Sequence, residues 1–257
     1  MPRQNYMLQA FDDFMSPKVL FLSFMSLLFT LVIIYSSLYL LFDNIGELKY
    51  SIPTVFTTMA EDILQKMETY PFLSFILEHK IMMIILHFLI YFGLGIISYY
   101  LFFAVYAFVI SFFNVILIRH IQKKYYPGIE LRGMGIVHTI IFYMKTIVIF
   151  LLLFLVLSPT YFIPAINILI FVPIYYFFHK TIVFDVSSEI NTSKEYRKLK
   201  RVNWSELKSR TGFCFLLTLI PIVGILLYPY YILYIGHYIM KETVELRYVN
   251  DFHRIDK

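Results

Sequence analysis

From Thr139 to Leu157 the chain reads TIIFYMKTIVIFLLLFLVL, an apolar run broken only by Lys145. Few folds accept such a run. In lipid it forms a helix, because a helix satisfies every backbone hydrogen bond within the segment itself. Strands of a membrane β-barrel alternate apolar and polar residues over about ten positions, and this run does not alternate. The rest of the chain agrees: 60% of its 257 residues are apolar, 15% are charged, and the mean hydropathy is +0.72. Soluble domains average about 45–50% apolar and about 25% charged. The sequence therefore predicts an all-α integral membrane protein, with the lipid bilayer as its first partner.

Apolar blocks and charge set the expected order of segments over a single domain, 1–257. Residues 19–42 predict a spanning helix, about 36 Å long at 1.5 Å per residue. Residues 43–80 carry six acids against three lysines, and TVFTTMAEDILQKM within them has the apolar spacing of an interfacial helix. Residues 81–118 predict a long spanning helix of about 57 Å, which must bend or project beyond a hydrocarbon core of about 30 Å. Gly93 and Gly95 offer close packing there, while Ser111 and Asn114 mark returning polarity. RHIQKKYYPGIELRG follows, with four bases and one acid. Residues 135–184 predict a spanning helix, a turn through PTYFIPAIN and a returning helix. The basic segment 185–210 has seven bases and four acids. A broken apolar block at 211–240 and a polar tail at 241–257 complete the order. Lysine and arginine favour the cytoplasmic side, so the basic segments predict a cytoplasmic N-terminus, two crossings and an out-and-back pair. The +5 net charge then serves orientation and anionic lipid, not nucleic acid.

The block 211–240 contains TLIPIVGILLYPYYILYIG, with Pro221 and Pro229 eight residues apart and Gly224 between them. Each arm, Gly212–Ile220 and Tyr230–Met240, reaches only about halfway through a 30 Å core. Two shapes fit: a helical hairpin turning at mid-membrane, or one proline-kinked span. Irregular backbone at that depth needs protein or a water-filled cavity around it, and paired half-helices present amides to ions.

Several classes are set aside. There is no HExxH, GxSxG or P-loop pattern, which argues against an enzyme. The single cysteine, Cys214, excludes an intrachain disulfide and reads as a small buried residue. No metal site or cofactor is expected. MPRQNYMLQAFDDFMSPK has acids before its apolar run and no small-residue cleavage site after it, so it reads as a retained segment.

Particular motifs resemble the CysZ-type sulfate permeases of the etoposide-induced protein 2.4 superfamily. Phe162-Ile163-Pro164 is similar to the family's proline turn, and Asp185 to the acid closing its returning helix. Gly212-Phe213 is similar to the start of the next helix, and Ile220-Pro221 with Pro229 keeps the proline spacing. Phe113-Asn114 resembles the end of a Pro-Phe-Asn motif, with Phe112 in place of the proline. The resemblance runs from about Leu8 to Arg247. It implies long spanning helices plus hairpins that penetrate part of the bilayer, assembly as a homo-oligomer, and import of sulfate for cysteine synthesis in a bacterial inner membrane. One position departs: the family's Gly-Leu-Arg type motif before the first span is replaced by FMSPKVLF, where Lys18 is the single cation. An arginine fork grips a tetrahedral oxyanion at several points, whereas lysine is a point charge.

The candidate anion-binding or pathway residues are accordingly Lys18, Asn114, Lys145, Pro164, Asn167, Pro221, Gly224 and Pro229. Asn114 and Asn167 also suit hydrogen bonding between helices, and Lys145 suits either a pore or snorkelling to an interface. His87 and His237 are candidates for proton coupling, with hydrogen-bonded packing as the simpler role. His179 and Lys180 read as interfacial anchors, and tyrosine pairs such as Tyr125-Tyr126 and Tyr230-Tyr231 as aromatic belts. Transport of a sulfate-like small anion leads. The alternative is a non-transporting scaffold whose hairpins wedge one leaflet.

Overall fold

A computed structural model describes residues 5–43, 52–70, 80–162, 166–220 and 222–255. Pro164 and Pro221 lie outside the described residues, as does the side chain of Asn167. Every regular element described is helical. In chain order these are α1 (Tyr6–Phe14), α2 (Pro17–Asp43), α3 (Ile52–Glu68), α4 (Lys80–Ser111), α5 (Asn114–Tyr125), α6 (Ile136–Leu157) and α7 (Phe171–Ile190). Then follow α8 (Ser193–Val202), α9 (Trp204–Thr218), α10 (Val223–Leu226) and α11 (Tyr228–Ile255). Short 3₁₀ turns, Ser158–Phe162 and Asn167–Ile170, lie between α6 and α7. Among the described residues, Pro17–Ser37, Ile136–Thr160 and Ile168–Ile190 are long and apolar enough to cross a membrane. The bent pair Leu101–Ser111 with Asn114–Tyr125 adds a fourth if counted as one span. The protein is an all-α membrane protein.

By packing, the chain divides into two compact units, residues 27–108 and the remainder. Within 27–108 the segment with interfacial-helix spacing is helical, as α3. It buries Ala60 and Leu64, one turn apart, and exposes Met59 and Ile63. In α4, a side chain added at Gly93 or Gly95 would meet nothing within 4 Å among the described residues.

The apolar block over 81–118, expected as a long helix that bends or projects beyond the lipid, is broken into two helices. α4 ends in a tight turn, with the Phe112 and Phe113 amides donating to the Val109 and Ile110 carbonyls, and α5 starts afresh at Asn114. Tertiary packing explains the break. α5 has a buried stripe, Asn114, Leu117, Ile118 and Ile121, that seats on α11, and its charges emerge on the other side.

Two antiparallel pairs build the larger unit. In the first, Tyr143 of α6 hydrogen-bonds Asp185 of α7, and further along Phe150 meets Phe177. In the second, Asn203 bonds Glu242, Tyr238 donates to Glu206 (2.9 Å) and Arg210 donates to Tyr234 (3.0 Å). Each step along α9 toward the break is matched by a step back along α11, which a kinked single span cannot produce. The block is a hairpin. Its first arm has only Gly212–Thr218 as helix beyond its last charge, about 10 Å, well short of a 30 Å core. Ile222 sits at the tip with φ of 67°, a rare backbone state for a β-branched residue. Pro229 is the second residue of α11, where its missing amide costs no helical bond.

The second arm differs from expectation. Tyr228–Met240 is buried throughout, packed by α1, α5, α7 and α9. Tyr230 and Tyr231 therefore belong to the core and not to an aromatic belt, and Gly224 is buried beside them. Burial is densest at Gly236, where an added Cβ would lie 2.8 Å from Ile121 Cδ1 and 3.0 Å from Ile118 Cδ1. Both atoms end flexible side chains, so Gly236→Ala is expected to be near neutral, helped by up to about 1 kcal/mol of helix propensity. Gly236→Val is expected to cost about 1–3 kcal/mol by overpacking, read as a lowered unfolding midpoint in detergent.

The far half of α11 is pinned by charge. Arg247 donates to both carboxylate oxygens of Glu195 (2.9 and 3.2 Å) and to the Glu130 and Ile190 carbonyls. Glu195 closes a capping box with Thr192 at the start of α8. Burial works against its charge, but Arg247 and Thr192 outweigh that and hold its pKa below the ordinary value.

A candidate anion-binding cleft

The start of α2 and the polar face of α5 meet in an open cavity of about 580 Å³ lined by Lys18, Ile116, Arg119, His120, Lys123 and Lys124. Helical spacing explains the convergence. With Leu117, Ile118 and Ile121 turned into the bundle, residues 116, 119, 120 and 123 must share the opposite face. Lys18 reaches the cavity from the first turn of α2, which also begins a membrane span.

Behind the cleft lies a buried carboxylate. Asp13, on α1, is fully buried and accepts from Lys124 Nζ (2.7 Å), from the Tyr125 hydroxyl (3.3 Å) and from His237 Nε2 (2.8 Å). His120 Nε2 stands 3.5 Å away without a hydrogen bond of its own. Burial opposes the charge on Asp13, yet the bonds from His237 and Lys124 more than compensate and hold its pKa at about 2. A carboxylate only accepts, so His237 Nε2 carries the proton of that bond, and its Nδ1 is buried without a partner. Asp13 thus fixes Lys124 at the cavity wall. Arg119, Lys123 and Lys18 form no ion pair among the described residues. The cavity rim is strongly cationic, and a multiply charged oxyanion is the small ligand its chemistry suits.

The expected site residues separate on this geometry. Lys18 is brought to the cleft. Asn114 is buried at the start of α5 with Oδ1 unpartnered, on the opposite face from the cations. His237 is the buried partner of Asp13. Lys145 is exposed on α6 beside the exposed Met144 and Val148, and lines no part of the cavity. His87 Nδ1 lies 2.8 Å from the Met83 carbonyl of its own helix. His179, expected as an interfacial anchor, is instead buried and bonded to Thr211 (2.7 Å).

Sequence reasoning assigned Arg119, Lys123 and Lys124 to orientation and passed over Asp13 and His120. The signal present was the spacing RHIQKK on a helix with an apolar stripe. The partner, Lys18, lies about a hundred residues away and no local pattern announces it.

Neither the curated proteins nor the solved structures contain a match to this chain. Residues 6–229, which include α1, the cleft and the start of α11, match the family described as sulfate transporter CysZ/etoposide-induced protein 2.4. The chain belongs to that family.

Proposed function

We propose that this protein moves sulfate or a closely related small oxyanion into the cytoplasm for sulfur assimilation, as a permease or channel-like homo-oligomer in a bacterial cytoplasmic membrane. The observation that carries this reading is the cationic cleft at the head of the first span. The family's arginine-bearing motif is missing there, and the charges it would supply come from another helix: Arg119, Lys123 and Lys124 stand around Lys18. Arg119 offers the planar fork that suits a tetrahedral oxyanion, and the lysines add field strength. Family membership supports a transporter over an enzyme.

Labelled sulfate uptake into proteoliposomes, beside protein-free liposomes, tests the reading. Saturable uptake competed by selenate or thiosulfate is the expected result. No uptake above empty liposomes from folded protein would sink sulfate as the substrate and favour a scaffold.

A further inference from the structure

A second group of cations lies on different helices and shares no residue with the cleft. The ring of Trp204, at the start of α9, has three lysine ammonium groups near its centroid: Lys180 of α7 at 4.2 Å, Lys208 of α9 at 5.0 Å and Lys200 of α8 at 5.2 Å. Lys200 and Lys145 of α6 both lie near enough to Lys180 to add their fields there. None of these four lysines pairs with a carboxylate among the described residues. The attraction of a cation to an aromatic face offsets part of the mutual repulsion of three like charges but leaves the group short of negative charge.

Beneath the lysines, His179 meets the Trp204 ring edge-on at 4.8 Å. Its Nδ1 is bonded to Thr211, whose hydroxyl already donates to the Leu207 carbonyl. Its Nε2 is buried with no partner, in a side chain 3% exposed. Because the Thr211 proton goes to Leu207, His179 Nδ1 is the donor in its bond and Nε2 is a buried lone pair, which offers an anion nothing. What points to an anionic ligand is the group of lysines over Trp204 without a carboxylate among the described residues.

We propose that Lys180, Lys200 and Lys208 over Trp204 bind the phosphate of an anionic phospholipid headgroup. The shared chemistry is that of any phosphate oxyanion; the surroundings favour the lipid. The lysines border the exposed apolar wall of α6 and α7, where Met144, Val148 and Val172 face outward, and polar α8 begins on the other side. Lysine stems on such a surface reach from apolar groups to headgroup charge. Tyr176 lies under Lys180 at 5.6 Å and adds a second interfacial ring.

Trp204 is the only tryptophan in the chain, so its emission reports this site alone. Full-length protein is placed in phosphatidylcholine nanodiscs that carry a fixed fraction of either brominated phosphatidylglycerol or brominated phosphatidylcholine. The expected result is at least threefold stronger quenching by the anionic lipid, with the preference lost in K200Q/K208Q, both changes lying on helix surfaces. Equal quenching by the two lipids in the unaltered protein overturns the proposal, and so does a preference that survives K200Q/K208Q. A parallel titration of detergent-solubilised protein with inorganic phosphate separates the sources. A saturable emission change there, without anionic-lipid preference in nanodiscs, assigns the site to a soluble anion and overturns the lipid reading. Sulfate uptake, measured separately, stands or falls independently of all these outcomes.

Discussion

Asp13→Ala is expected to destabilise the larger unit by about 1–3 kcal/mol, the usual cost of leaving a buried polar group without its partner. Lys124 is half-exposed and can turn to water once its acceptor is gone. His237 cannot. It is fully buried with Nδ1 already unpartnered, so losing Asp13 orphans both ring nitrogens. A second change should recover much of the loss: Asp13→Ala with His237→Leu replaces both polar partners by apolar groups, which costs less than stranding one. Thermal unfolding in detergent reads all three proteins, and an unchanged midpoint for Asp13→Ala would refute the assignment.

The same pair gives a pH dependence of definite sign. The folded-state pKa of Asp13, about 2, lies below its ordinary value of 3.8. Its contribution is therefore fully present above about pH 4 and is lost as the pH falls toward 2. The half-exposed Lys124 screens part of the effect, which leaves roughly 1–2 kcal/mol. The gap in unfolding midpoint between the unaltered protein and Asp13→Asn should accordingly narrow across that interval and stay constant above it.

Reversing the charges Arg119→Glu and Lys123→Glu together is expected to cut sulfate uptake at least tenfold while leaving the unfolding midpoint within a degree or two. Both side chains lie on the exposed face of α5, away from the stripe that seats on α11, and surface changes of this kind usually shift stability by about 0.5 kcal/mol or less. Carboxylates at the rim oppose an approaching dianion through the same field that the cations supply. Lys18→Ala should reduce uptake less, since one of several cations is removed. Lys145→Ala should leave it within twofold, because that lysine lies outside the cavity. Equal sensitivity at Lys145 and Arg119 would place the anion path elsewhere.

The helices were legible because their signals are local. The run Thr139–Leu157 contains its own reason to be helical, and the acidic and basic segments punctuate the blocks. Length alone required the block 81–118 to bend or project, and Ser111 and Asn114 marked the place; the cause, the packing of Leu117, Ile118 and Ile121 on α11, was not readable. The burial of Tyr228–Met240 was hidden for a related reason: a stretch apolar on every side suits lipid and a protein core equally. The cleft was half legible. Lys18 stood out by its place before the first span, whereas Arg119 and Lys123 resembled ordinary orientation charges until α5 was placed beside α2. Asp13 shares a helical face with Ala10 and Phe14, which is visible in the sequence. That its partner is His237 is not.

The bond between Asp13 and His237 joins residues 224 positions apart, and this separation bears on how the protein is made. Contacts so distant in sequence are slow to form, because the intervening loop must close before they stabilise anything. At about 5–20 residues per second, some ten to forty-five seconds separate the synthesis of the two groups. During that time α1 has no α11 to lie on, and its carboxylate has no imidazole to accept from. The early helices stay unfinished until α11 is made, and a chain halted before His237 leaves Asp13 without that partner.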